Sequence, residues 1–365
     1  MSDSLESDRD KRWDRIGVLV DFEAIDRVLR GRRPRRVGVS APDGLQSAAR
    51  SVYDHLRKLG IEPVIILDPT YGFCDLQDGQ ADALGLDLVF NLGHWSPARL
   101  SERTLLVDVE YEVPISRLQA LADSLVGAAR REGWRTVGLL AVGNYGRVRG
   151  KLADLLRRAD VVVLPEREEI TGSLLNWQVT GCMFPGAWSI RRRVDAFALL
   201  GSSRFHAIAV RLATGLRTIM ADPESLEISD VEDDATRTAR RAALAIYRAA
   251  DARSFGIVVG EKSGQRYPEL ARAIGRSLEE LGRSVYYYSA YEITADRLGV
   301  ARGVDAFIVL ACPRIGLDAA GGDRPVLSYP QAIQLLNLLR GKSLNMDELL
   351  RMPLWAWVGY ERHER

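Results

Sequence analysis

Ala306-Phe307-Ile308-Val309-Leu310-Ala311-Cys312-Pro313-Arg314-Ile315 is an apolar run that ends in a thiol, a proline and a guanidinium. The run 306–310 reads as a buried strand. Pro313 stops it, because proline has no N–H to give to a ladder, and Arg314 adds a rigid fork of donors. This ending puts Cys312 where an open sheet meets its loops. The other two cysteines, Cys74 and Cys182, also fall in stretches that come after strands.

Outward from Cys312, the pattern of strand, glycine-containing loop and helix occurs three times. The first round has strands at 37–39 and 63–67, with Asp43-Gly44 and a helix at 46–59 between them. It continues through Asp68-Pro69-Thr70-Tyr71-Gly72-Phe73-Cys74-Asp75 to strands at 88–92, ending in Gly93-His94-Trp95, and 104–109. The second has a helix at 115–131, a strand at 136–142, Gly143-Asn144-Tyr145-Gly146, a helix at 148–158 and a strand at 161–164. An irregular stretch carrying Thr180-Gly181-Cys182 follows, then an expected helix at 190–200 and expected strands at 207–210 and 218–221. The third follows a charged helix at 234–250, with strands at 256–259, 285–288, 306–310 and 325–327. Its loop is Glu261-Lys262-Ser263-Gly264-Gln265, and its helix spans 268–281. An acidic N-terminal tail and a helical, tryptophan-bearing C-terminal stretch at Trp355 and Trp357 flank these rounds.

Strands alternating with helices imply parallel sheets joined by right-handed crossovers. The predicted fold is α/β: three similar domains, each a small parallel sheet flanked by helices, arranged with pseudo-threefold symmetry about a central point. The expected domains are 1–114 with Cys74, 115–232 with Cys182 and 233–365 with Cys312. In such sheets ligands gather beyond the carboxyl ends of the strands, where all three cysteines fall.

At 365 residues the chain exceeds a single core. Its net charge of +1 gives no broad field for nucleic acid or an anionic membrane. It has no apolar run of about 18 residues that would span a bilayer. An odd number of widely spaced cysteines argues against a disulfide framework and for a reducing, cytoplasmic setting. Structural zinc would call for four ligands, usually in short pairs such as C-x-x-C, which are missing. Three soft thiolates with one position open suit an iron–sulfur cluster whose fourth iron is left for substrate, with three unrelated buried thiols as the alternative. His94, after Gly93, offers a ligand or acid–base group but reads more readily as a hydrogen-bonded structural histidine, and His206, before an expected strand, reads as structural. Gly44, Gly143, Gly146 and Gly264 stand where backbone N–H groups can face an anion, although a tight turn uses glycine there too.

Ala311-Cys312-Pro313-Arg314-Ile315-Gly316-Leu317-Asp318, with Asp323-Arg324-Pro325-Val326-Leu327, resembles the third cysteine motif of the diphthamide synthesis enzymes. Tyr71-Gly72-Phe73-Cys74-Asp75 resembles their first motif and Gly181-Cys182-Met183-Phe184 their second. Ala41-Pro42-Asp43-Gly44-Leu45, Gly93-His94, Asp222-Pro223 and Lys262-Ser263-Gly264-Gln265 fit the segments between. Phe73, Thr180, Met183-Phe184-Pro185-Gly186 and Ser328-Tyr329-Pro330 depart from the family pattern. The resemblance implies a 4Fe-4S cluster held by Cys74, Cys182 and Cys312. It implies S-adenosylmethionine as substrate, cleaved to methylthioadenosine and a 3-amino-3-carboxypropyl radical that adds to C2 of a histidine in elongation factor 2. It also implies a homodimer and an electron donor. Gln265, Arg314, Asp318 and Gly264 become the candidates for holding the amino-acid end of S-adenosylmethionine. Two other readings are a quinolinate-synthase-like cluster enzyme and a non-catalytic partner subunit of a diphthamide synthesis complex.

Overall fold

The computed structural model describes residues 16–318 and 323–351. Its strands begin with β1 (Gly17–Val20), β2 (Arg36–Ser40), β3 (Glu62–Ile66), β4 (Leu88–Leu92), β5 (Thr104–Val107) and β6 (Val109–Glu112). Next come β7 (Thr136–Ala141), β8 (Val162–Leu164), β9 (Ile170–Thr171), β10 (Leu174–Leu175), β11 (Ala196–Leu200), β12 (Thr218–Ala221) and β13 (Ile228–Asp230). The last are β14 (Ser254–Gly260), β15 (Ser284–Ala290), β16 (Ala306–Leu310) and β17 (Val326–Ser328).

Beside the two-stranded pairs β1-β6 and β10-β9, three larger sheets share one plan. Their orders are β3-β2-β4-β5, β8-β7-β11-β12-β13 and β15-β14-β16-β17. Every neighbouring pair is parallel except β12 with β13. Each first strand leads through a one-turn 3-10 helix, Asp43–Leu45, Gly143–Tyr145 or Ser263–Gln265, into a crossover helix, Gln46–Lys58, Gly146–Arg158 or Pro268–Glu280. In the first of these helices Ala48, Ala49, Val52 and Leu56 are buried at helical spacing. Burying a side chain such as Val52 or Leu56 contributes about 2 kcal/mol. The helix ends where Gly60 turns to φ 75°. Each sheet thus exposes one loop-bearing edge at the carboxyl ends of its strands.

An aspartate repeats with this plan. Asp87 accepts the backbone N–H groups of Arg35 and Arg36 at 2.7 and 2.9 Å. Asp195 does the same for Arg135 and Thr136 at 2.8 and 2.9 Å, and Asp305 for Arg253 and Ser254 at 2.9 Å each. Each carboxylate sits just before the third strand of its sheet and ties that strand's start to the start of the first. These hydrogen bonds to the charged form hold all three carboxyls below the usual aspartate range.

The chain divides into two compact units: Met1–Thr180 with Phe184–Val231, and Gly181–Met183 with Glu232–Arg365. The first two sheets lie in the former and the third in the latter, so the boundaries at 114 and 232 enclose one sheet each while the compact grouping is twofold. In the antiparallel pair β1–β6, Val20 and Val109 pack with the core of the first sheet and Tyr111 also packs against that of the second.

Two expectations are overturned. Residues 196–200 form a strand, not a helix, and Arg204–Thr214 form a helix, not a strand. The first is a central strand buried at every position, so its run Ala-Phe-Ala-Leu-Leu shows no alternation to separate strand from helix. In the second, Ala207, Val210 and Ala213 are buried at every third residue, a helical spacing hidden in a short apolar run. His206 therefore stands on a helix. The C-terminal stretch forms helices Tyr329–Leu339 and Met346–Arg351, while Trp355, Trp357 and the N-terminal tail lie outside the described residues.

Candidate functional site

Cys74 sits in the loop after β3, in a turn closed twice. The Asp75 N–H donates to the Gly72 carbonyl at 2.9 Å, and the Asp75 carboxylate accepts the Tyr71 N–H at 2.6 Å. Buried Asn91, on β4, donates from Nδ2 to the Asp75 carbonyl at 3.0 Å and to Gln77 Oε1 at 3.2 Å. Ser40, at the end of β2, meets Thr70 hydroxyl to hydroxyl at 2.8 Å. Phe73, the departure from the family pattern, is a buried anchor beside the thiol. The Cys74 turn is therefore pinned to the ends of two strands, on the carboxyl edge of the first sheet.

The segment leading to Cys182 extends the second sheet. The Ala141 N–H donates to the Trp177 carbonyl and the Val179 N–H to the Ala141 carbonyl, both at 3.0 Å. Gln178 Nε2 reaches the Trp95 carbonyl at 2.8 Å, so the loop edges of the first two sheets meet. After the cysteine, Phe184 is fully buried and Pro185 opens the helix Pro185–Ile190. Gly186 has no alternative: a Cβ there would lie 1.6 Å from the Asn176 carbonyl oxygen. The Met-Phe-Pro-Gly departure is thus an anchoring device. Gly181–Met183 group with the unit that holds Cys312.

Cys312 follows β16, and its carbonyl accepts the Ile315 N–H at 3.1 Å, opening the short helix Arg314–Asp318. Buried Ser328 holds this loop from behind, donating from Oγ to the Pro313 carbonyl and accepting the Gly316 N–H at 3.0 Å. Ser328 also forms a capping box with Gln331 at the start of Tyr329–Leu339. Gly260, ending β14, brings the neighbouring turn in: a Cβ there would be 2.8 Å from Ala311 Cβ and 2.9 Å from the Gln265 carbonyl oxygen. Gln265, Lys262 and Arg314 are all buried polar side chains. Lys262 Nζ pairs with Glu292 at 2.6 Å and lies over the Tyr291 ring at 5.4 Å. Gly264 offers its carbonyl to the Tyr267 hydroxyl at 3.3 Å. Asp318 closes its helix, and its side chain lies outside the described residues.

Gln265 is informative by position. The third residue of the 3-10 turn is Leu45 in the first round and Tyr145 in the second, both buried. Only the third round buries a side-chain amide there, at a cost unless it is hydrogen-bonded. The second round meets the anion need of its helix internally, because Glu110 Oε2 accepts the Arg147 N–H at 3.0 Å. A Cβ at Gly146 would lie 2.9 Å from the Trp177 ring and 3.1 Å from Glu110 Oε1, so packing accounts for that glycine.

All three cysteines are partly buried and outside disulfides. Among the described residues, no three His, Cys, Asp or Glu side chains form a group suited to one metal ion. A four-iron cluster sets a different requirement, since its ligands bind separate irons and stand further apart than ligands of a single ion. A thiol is the ligand type such a cluster takes, and each of the three lies in a loop beyond a strand.

Residues 41–345 match the model of the diphthamide synthesis protein family. The chain belongs to that family. It is 26% identical to 2-(3-amino-3-carboxypropyl)histidine synthase of Pyrococcus horikoshii over 87% of this chain and 90% of that protein. It is 25% identical to subunit 1 of the human synthase over 89% of this chain and 73% of the other. A crystal structure of Dph2 from Pyrococcus horikoshii with a 4Fe-4S cluster matches with a TM-score of 0.77 and 25% identity, covering 92% of this chain and 95% of that one. The family thus contains 2-(3-amino-3-carboxypropyl)histidine synthases, and its Pyrococcus horikoshii Dph2 carries a 4Fe-4S cluster. No described helix is long and apolar enough to cross a membrane.

Residue reading alone missed Asn91, Ser328 and the aspartate repeat. Ser328-Tyr329-Pro330-Gln331 has capping-box spacing, and Asp195-Ala196-Phe197 recurs as Asp305-Ala306-Phe307. Asn91 had no local signal, because its partners are set by tertiary contact.

Proposed function

We propose that this chain is a catalytic member of the family. It transfers the 3-amino-3-carboxypropyl group of S-adenosylmethionine to C2 of a histidine in elongation factor 2, the first step of diphthamide synthesis. The observation that carries this reading is the set of three thiols, each at the carboxyl edge of a sheet, each in a loop fixed by buried anchors.

Cys74, Cys182 and Cys312 would hold a 4Fe-4S cluster with one iron left for S-adenosylmethionine. When bound, that cluster supplies the single electron that breaks the Cγ–S bond, releasing methylthioadenosine and a 3-amino-3-carboxypropyl radical. The remaining work belongs to the chain. Arg314 grips the substrate carboxylate with its two-pronged fork. Gln265 orients the same end of the molecule, with Gly264 and Asp318 beside them in the loops after β14 and β16. Burial strengthens these contacts by keeping water from competing for them. An external electron donor and a homodimer complete the proposal.

Anaerobic incubation with dithionite, S-adenosylmethionine and elongation factor 2 should release methylthioadenosine and add the 3-amino-3-carboxypropyl group to one histidine. Release of methionine and deoxyadenosine instead would overturn the bond assignment. Release of methylthioadenosine without modification of elongation factor 2 would point to another acceptor.

A further inference from the structure

His94, Ser202 and Cys312 occupy the same place in the three rounds. Each lies seven residues beyond the capping aspartate of its sheet, Asp87, Asp195 or Asp305, and two beyond the end of the third strand. The seat that carries a thiol in the third round carries an imidazole in the first. That imidazole is tied to the Cys74 turn through one side chain. Asn91 donates from Nδ2 to the Asp75 carbonyl and to Gln77, and its Oδ1 faces His94 Nδ1 at 3.4 Å.

The amide cannot turn over, because a carbonyl is an acceptor only and requires the Asn91 NH2 group. Asn91 Oδ1 therefore faces the ring at 3.4 Å, and the tautomer with the proton on His94 Nδ1 is the one that makes this contact a hydrogen bond. In a neutral imidazole the other nitrogen is then an acceptor. Burial favours the neutral form, holding the His94 pKa down to about 4. Among the described residues, Nε2 of His94 has no hydrogen-bond partner.

We propose that His94 is a substrate-contacting residue whose Nε2 accepts a hydrogen bond from a ring N–H of the acceptor imidazole, with Asn91 as the positioning residue that fixes its tautomer. The inference rests on the transferase reading. A neutral acceptor suits a neutral imidazole, whereas an ammonium group would favour a carboxylate. Holding one ring N–H also restrains C2, which adjoins both nitrogens.

The tautomer is measured on the cluster-free protein by 15N NMR of labelled histidine, which is practical with only four histidines in the chain. Wild type should give a neutral Nδ1–H ring that does not titrate above about pH 5. Asn91→Leu should give a mixture of tautomers while circular dichroism stays that of a folded chain. An Nε2–H ring in wild type overturns the proposal, as does a ring indifferent to Asn91→Leu. Because Asn91 is buried, half-buried His94 gives a second probe. His94→Ala should keep the iron content and raise the methylthioadenosine released per acceptor modified by about tenfold, the weight of one hydrogen bond. His94→Gln, which restores an acceptor oxygen, should recover part of this coupling. An unchanged ratio in His94→Ala, or lost iron, defeats the role assigned to His94. If wild type releases no methylthioadenosine, the transferase reading fails instead, and the NMR result still decides the tautomer.

Discussion

Asp305 Oδ2 accepts the backbone N–H of Ser254 at 2.9 Å, and the Ser254 hydroxyl adds a further bond to the same oxygen at 2.9 Å. This is the clasp that Asp87 and Asp195 form in the other sheets, reinforced by a side chain. The hydroxyl bond is the main cause of the lowered Asp305 pKa, ahead of the two backbone N–H groups. A carboxyl held below its unfolded value contributes stability above about pH 4, lost as the pH falls through the lower folded value. Asp305→Ala should cost roughly 1 kcal/mol, the usual net worth of such bonds. Urea melts at pH 7 and pH 3 should give a smaller wild-type advantage at the lower pH.

Asp108 behaves in the opposite sense. Burial raises its pKa to about 6, with Asp21 adding to the shift and the Val109 N–H and Arg147 opposing it. A raised carboxyl destabilises the fold as the pH climbs from the unfolded value through the folded one. Asp108→Asn should therefore stabilise the protein at pH 7 by roughly 1 kcal/mol after allowance for solvent screening. The gain should vanish below about pH 4 in denaturant melts. A destabilised Asp108→Asn at pH 7 would show that the carboxylate has a stabilising partner.

Gly186→Ala tests the anchor behind Cys182. With the Asn176 oxygen 1.6 Å from the new methyl, the backbone must move, at a cost of about 3 kcal/mol. Thermal melts should show the loss. An alanine variant as stable as wild type would mean that the helix Pro185–Ile190 does not pack on Asn176.

Gln265→Leu converts the third turn to the residue found at Leu45. The fold should survive with a loss of about 1 kcal/mol, while calorimetry on anaerobically loaded protein should give at least about tenfold weaker binding of S-adenosylmethionine. Equal affinity would remove Gln265 from the substrate site.

Single Cys74→Ala, Cys182→Ala and Cys312→Ala variants should each lose most of the iron bound after anaerobic reconstitution, along with the broad absorption near roughly 400 nm. A partner subunit that works through its surface would keep its function in all three. Unchanged iron in every variant would defeat the cluster assignment.

The sequence by itself determined the repeated α/β plan and the strand-end address of each cysteine. Burial on both faces of a parallel sheet leaves contiguous apolar runs, and proline or glycine marks where each run stops. The same property made 196–200 ambiguous, since a fully buried strand carries no alternation to tell it from a helix. Only tertiary structure decided which side chains hold those loops in place. Asn91 reaches Asp75, Ser328 reaches Pro313 and Gly186 lies against Asn176, and each pair is distant along the chain or coded by no local period. Hydrogen bonds and close contacts of that kind exist only once the strands are paired, so the thiols were legible in the sequence and their supports were not.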